Sequence, residues 1–217
     1  MTAAIDPGGW YSCAVTISGA AVTRFTYART NQPVFAWGPA RDLWGPVTYT
    51  VTLDGAQLPP TATTALVAPE PLADGPHVWQ VTAANRAGLI STARPGRVWV
   101  DTVAPVGRLT LTGRKQVGSY LHMYVSYTDS PPPEPRASAS GIAQVVVNWG
   151  DGNTYVIKHG KFHAYMRPGR YRLTVTLTDR AGNTTKLVQM VRIVRKPTRP
   201  PHTKHHHKPN TGRKARS

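Results

Sequence analysis

A carboxylate, an imidazole and a hydroxyl brought together make a hydrolase, so Asp151, His163 and the abundant Ser and Thr are weighed first. No Gly-x-Ser-x-Gly elbow accompanies them, and no acid–base set converges along the chain. No catalytic residue is therefore expected. Asp129, Asp151 and Asp179 fall at the ends of predicted strands. Calcium needs about six or more converging oxygens, and no D-x-D-x-D run supplies them, so neither metal nor cofactor is expected. His202 and His205 to His207 lie in a tract too flexible to fix a tetrahedral zinc shell. The basic residues Arg195, Lys196, Lys204, Lys208, Arg213, Lys214 and Arg216 offer a different chemistry, salt-sensitive attraction to an anionic surface.

The remaining marked residues are expected to do structural work. Trp149 ends an apolar strand and is expected to fill a core. Asp151, between Gly150 and Gly152, is expected to accept backbone N–H bonds in a tight turn, with both glycines at positive φ. His163 and Tyr165 alternate toward one side of a strand, His163 as a satisfied, partly buried histidine and Tyr165 with its hydroxyl bonded at a corner.

The elements that hold these residues must be strands. Short β-branched runs alternate with turn residues, among 20 Pro and 19 Gly, and no four-turn amphipathic helix pattern occurs. Val47, Tyr49, Val51 and Leu53 alternate with Thr48, Thr50 and Thr52, the clearest strand of the first half, and Asp54-Gly55 turns it. Further strands are predicted over 12–18, 22–27, 33–37, 77–84, 97–100, 108–111, 120–127, 144–149, 154–158, 169–178 and 186–194. A loop rich in Pro and Thr follows Asp54-Gly55, and residues 130–140 read as another.

Length and charge set the organisation. The 217 residues accommodate two sandwiches of about 100 residues each. The formal charge is +16, with none of it in 1–105, +8 in 106–194 and +8 in 195–217. The single cysteine, Cys13, forms no intrachain disulfide. No signal peptide is expected in the first 30 residues, and no apolar run is long enough to span a membrane. Gly75 to Gly88 (G-P-H-V-W-Q-V-T-A-A-N-R-A-G) aligns without a gap to Gly169 to Gly182 (G-R-Y-R-L-T-V-T-L-T-D-R-A-G). A repeat at this spacing suits one sandwich per copy. The chain therefore divides into an extension or first strand (1–19), a first sandwich (20–105), a second (106–194) and a basic tail (195–217). The tail has too little apolar surface to order itself.

Val147-Asn-Trp-Gly-Asp-Gly152, Phe162-His-Ala-Tyr165, Gly169-Arg-Tyr171 and Asp179-Arg-Ala-Gly182-Asn183 together resemble a PKD (polycystic kidney disease) domain over residues 106–194. The resemblance implies a structural motif built on Trp149, Gly150, Asp151, Gly152, His163, Tyr165, Tyr171, Asp179, Gly182 and Asn183. The Pro-rich loop 130–140 and the Ser-Gly-Ile142 entry depart from the family pattern. Phe35-Ala-Trp37, Tyr49 to Gly55, Gly75-Pro-His-Val-Trp79 and Val100-Asp-Thr-Val-Ala-Pro105 are similar to bacterial Ig-like or fibronectin-III-like repeats over 20–105.

The fold expected is all-β: two tandem immunoglobulin-like β-sandwiches with a disordered basic C-terminal tail. The function expected is a non-catalytic binding or spacer module, extracellular or on the cell surface, that meets a protein, a carbohydrate or an acidic cell-wall polymer. The alternatives are an accessory module of a glycan-degrading enzyme, or a nucleic-acid binder using the basic tail. The loop 130–140 is the expected specific contact.

Overall fold

The computed structural model describes residues 16–17, 26–41, 46–129 and 139–197. Among them there are strands, turns and bends, and no helix. The chain is therefore all-β, as its alternating β-branched runs require.

Among the described residues, ten strands build the first sandwich: β1 (Thr16–Ile17), β2 (Thr26–Ala28), β3 (Val34–Ala36), β4 (Ala40–Arg41), β5 (Thr48–Leu53), β6 (Ala56–Gln57), β7 (Ala65–Val67), β8 (Gly75–Ala84), β9 (Ile90–Thr92) and β10 (Gly96–Val100). The main sheet runs β2-β10-β8-β5-β6, with β9 also paired to β8, while β3 pairs with β7 and β1 with β4. Tyr49, Val51 and Leu53 of β5 point inward, as the period-2 pattern predicts. They meet Trp79, Val81 and Ala83 of β8 and, across the sandwich, Phe35 and Trp37. The β5–β6 turn has φ of 50° at Asp54 and 86° at Gly55. This is the left-handed pair that a right-twisted two-residue hairpin needs.

Among the described residues, seven strands build the second sandwich: β11 (Val106–Gly113), β12 (Tyr120–Thr128), β13 (Ile142–Asn148), β14 (Thr154–Ile157), β15 (Gly160–Ala164), β16 (Gly169–Asp179) and β17 (Thr184–Ile193). One sheet is β11-β12-β15 and the other β14-β13-β16-β17, antiparallel throughout. Leu121, Met123 and Val125 of the first face Val145, Val147, Leu173, Val175 and Leu177 of the second, and Trp149 and Tyr165 cap this core.

The repeat falls on equivalent elements. β8 lies between β5 and β10, and β16 lies between β13 and β17. In each, the Arg-Ala-Gly corner turns the strand outward. Asn85 Oδ1 accepts from the N–H of Ala87 and Leu89, and Asp179 Oδ1 from those of Gly182 and Asn183.

The structure adds elements inside segments read as loops. β6 and β7 sit in the Pro/Thr-rich stretch after Leu53, and β9 follows the Asn85 corner. Each is two or three residues long, so its existence depends on a pairing partner. Of the strand predicted over 22–27, only its end at β2 lies within the described residues, and 130–138 and 198–217 lie outside them.

Candidate metal centre

The sandwich interiors explain most of the marked residues. Trp149 is fully buried, as expected of a core ring. Asp151 accepts from the backbone and side-chain amides of Asn153, and its second oxygen meets His163 Nε2 at 2.7 Å. His163 stacks on Trp149 with centroids 4.5 Å apart, and Tyr165 donates its hydroxyl to the Trp149 carbonyl at 2.8 Å. Tyr171 stacks on Tyr165 at 4.1 Å and donates its hydroxyl to the Arg167 carbonyl. Burial works against the Asp151 charge, but the hydrogen bonds to Asn153 and His163 outweigh it and hold the carboxyl below the usual carboxylate range. Burial also raises the Tyr165 phenol well above its ordinary value. The acid and the imidazole are thus spent on each other and on holding Trp149. The first sandwich repeats the pairing with other residues: Asp54, in its turn, meets His77 Nδ1 at 2.6 Å.

Asp179 and Asn183 belong to a second grouping, at the meeting point of the two sandwiches. Asp101 follows β10, Asp129 follows β12 and Asp179 ends β16. One carboxylate oxygen from each lies within 4.8 Å of the others. Asp101 and Asp179 are 1% exposed and Asp129 is 8% exposed. Asp101 Oδ2 accepts from the Ser140 N–H at 2.6 Å, and Oδ1 from that of Val103. Asp129 Oδ2 accepts from the Gly141 N–H. Asn183 Nδ2 donates to Asp179 Oδ2 and to the Asp101 carbonyl, which ties the corner to the connection between sandwiches. Arg180 is a partner here as well as an exposed corner residue, since it donates to the Ser140 carbonyl. A bulge in β13 between Ile142 and Gln144 breaks the register beside Asp179.

Asp129 Oδ1 is buried and has no hydrogen-bond partner among the described residues. Burial first, then the charges of Asp101 and Asp179, push the Asp129 carboxyl up to about 6, although the Gly141 N–H and Arg180 act in the other direction. Burial also raises Asp179. Gathering three carboxylates out of water is unfavourable unless a proton or a cation compensates them. The donors are all oxygens, which suits a hard cation such as calcium and gives zinc neither nitrogen nor sulfur.

The sequence led to an expectation of no metal site, and the three aspartates weighed there, Asp129, Asp151 and Asp179, are not the three that converge. Asp129 and Asp179 do come together, but Asp151 is held in its own turn, and Asp101 takes the third place. Two members were legible. Asp129 continues the inward series Leu121, Met123, Val125, and Asp179 continues Leu173, Val175, Leu177, so each places a charge where its strand faces inward. Asp101 was not. Val98 and Val100 face inward, so alternation assigns Asp101 outward, and only the bend leaving β10 buries it. Of the basic residues singled out, Arg195 and Lys196 are exposed just beyond β17. Lys204, Lys208, Arg213, Lys214 and Arg216 lie outside the described residues.

Among solved structures, the chain is similar to the fibronectin(III)-like modules of Clostridium thermocellum CbhA. The identity is 15% over 89% of this chain and 100% of that one, with a TM-score of 0.53. The chain has a tandem fibronectin-III-like fold. Alongside this fibronectin-III-like match, the PKD1 domain of the Vibrio cholerae metalloprotease PrtV aligns with 42% of the chain and 98% of its own length, at 21% identity and a TM-score of 0.34. The Bacteroides ovatus protein SGBP-B, from a mixed-linkage glucan utilization locus and solved with a heptasaccharide, aligns with 84% of this chain and 48% of its own, at 16% identity and a TM-score of 0.34. No family model and no curated protein matches the sequence. No helix among the described residues is long and apolar enough to cross a membrane.

Proposed function

We propose that this chain is a non-catalytic binding or spacer module of the cell surface or secreted space, and that calcium held by Asp101, Asp129 and Asp179 locks its two sandwiches in line. The observation that carries the reading is the buried Asp129 Oδ1, which has no partner among the described residues, amid three converging carboxylates. Asp101 comes from the connection between sandwiches, and the other two come from the second sandwich, so one ion would tie the connection to the body it enters. A cation there would take up the free lone pairs and cancel the mutual repulsion, replacing the proton that Asp129 otherwise draws. Asp151 and His163 support a structural role, because their bonds to each other and the stack on Trp149 leave neither in place to activate a nucleophile.

Calorimetric titration and thermal unfolding of the full chain test the reading. Calcium at about a hundred times its dissociation constant stabilises by about 2.7 kcal/mol, which raises Tm by several degrees in a chain of this size. D129N is expected to abolish both the binding heat and the shift. Absence of any calcium-dependent heat or Tm change in the wild-type chain overturns the calcium lock.

A further inference from the structure

The outer face of the β11-β12-β15 sheet carries a row of exposed rings. Tyr120, His122 and Tyr124 alternate along β12 with the buried Leu121, Met123 and Val125. The register sets Phe162 of β15 directly beside His122, and the two rings stack with centroids 4.4 Å apart. On the other side, Thr110 lies opposite Tyr124 and Thr112 opposite His122. Tyr120 is 73% exposed, Phe162 62% and Tyr124 46%. At about 3.4 Å per residue the β12 row is roughly 14 Å long. Among the described residues of the first sandwich, the large exposed apolar residues are aliphatic: Val34, Val67, Val78, Leu89 and Ile90. Exposed rings gathered on one sheet face mark an interaction surface, because water is a poor solvent for them and nothing in the fold requires them there.

Charge gives the sign of the partner. Arg108 stands in the β11 row of this face, and Arg114 and Lys115 at the end of β11 and Lys158 before β15 are exposed, whereas Lys161 points the other way, over the Tyr155 ring. The carboxylates of the described second sandwich are committed elsewhere, Asp129 and Asp179 at the junction and Asp151 to His163. Among the described residues of the second sandwich, no further carboxylate offsets the rim.

We infer that this face binds an acidic polysaccharide, with Tyr120, Tyr124 and Phe162 stacked against sugar rings and the basic rim meeting the carboxylates. A sugar ring presents C–H bonds on its faces and hydroxyls at its edge. The first match flat aromatic rings, and the second match the hydroxyls of Thr110 and Ser126 beside them. A single-stranded nucleic acid also stacks on rings, but it carries a phosphate at every nucleotide and calls for cations threaded along the same track. Here Arg108 is the one Lys or Arg within the rows, and the others stand at the margin. The inference rests on the binding-module reading and is independent of the calcium lock.

The test is affinity electrophoresis of the full chain at ~150 mM salt, where weak non-specific charge attraction is screened. The probes are hyaluronan, neutral dextran and oligo-dT, and the variants are Y120A/F162A and, on the opposite sheet, K186A/R192A. Hyaluronan is expected to retard the wild type more than dextran or oligo-dT does. The ring variant is expected to lose about tenfold in affinity, the usual scale for removing stacked rings. K186A/R192A should keep nearly all of it. The ring variant should also keep the wild-type Tm and calcium response, since both side chains are exposed. Equal retardation of wild type and ring variant, no binding of hyaluronan, or tighter ring-dependent binding of oligo-dT each overturns the inference. A failed calcium titration leaves it standing.

Discussion

At the residue scale, two glycines of one turn separate strain from collision. Gly150 has a φ of +79°, and a Cβ there would lie 2.7 Å from the Arg172 carbonyl oxygen and 2.8 Å from its nitrogen. Gly152 has a φ of +95° with nothing within 4 Å. Replacement of Gly152 by Ala should therefore cost about 1 kcal/mol of backbone strain, whereas G150A, which also forces β16 away, should cost roughly 2–4 kcal/mol. Denaturant midpoints of the two variants check the difference. Y165F removes the hydroxyl donated to the Trp149 carbonyl and leaves a buried acceptor unpaired, which should cost about 1–2 kcal/mol by the same measurement. These residues were readable because W-G-D-G and H-x-Y combine residue types that need a tight turn and a buried partner.

At the element scale, the two Arg-Ala-Gly corners show one job done by two side chains. Asn85 holds its turn with a single side-chain oxygen, so D179N should preserve the β16–β17 turn. The same change removes a charge from the junction but also the oxygen that accepts from Asn183 Nδ2, so the two effects on the calcium-free Tm oppose each other and its shift should be small, while the calcium response weakens. Differential scanning with and without chelator reads both effects. The Asp54–His77 contact ties the β5–β6 turn to β8. Burial opposes the charged form of each group, but their hydrogen bond prevails, so His77 titrates above its ordinary value and Asp54 below. The raised histidine contributes fully below about pH 6.5 and loses its contribution as pH rises through the higher folded value. The lowered acid contributes above about pH 4 and loses its part on further acidification. The stability gap between wild type and H77Q should thus peak between those limits and stay small, because Asp54 is half exposed. The long strands β5, β12 and β16 announced themselves by alternation. β7 and β9 did not, since three residues carry no period and form only where β3 and β8 offer an edge.

At the scale of the whole molecule, the junction couples charge to pH. The folded Asp129 titrates at about 6 against an ordinary 3.8, so between those values the folded chain binds more protons than the unfolded one. Stability without calcium should therefore fall as pH rises from about 4 through 6, by up to roughly 3 kcal/mol at ~1.4 kcal/mol per unit. Saturating calcium should flatten that slope, and Tm against pH in the two conditions checks it. From the sequence alone followed the all-β class, the repeat, the turn chemistry and the excess of positive charge in the second half, because each depends on neighbours a few residues apart. Only the tertiary structure gathered Asp101 with Asp129 and Asp179, and laid Phe162 beside His122. Both groupings join residues far apart in the chain, through the bend after β10 and the pairing of β12 with β15, and alternation along a single strand carries no information about which strand will lie beside it.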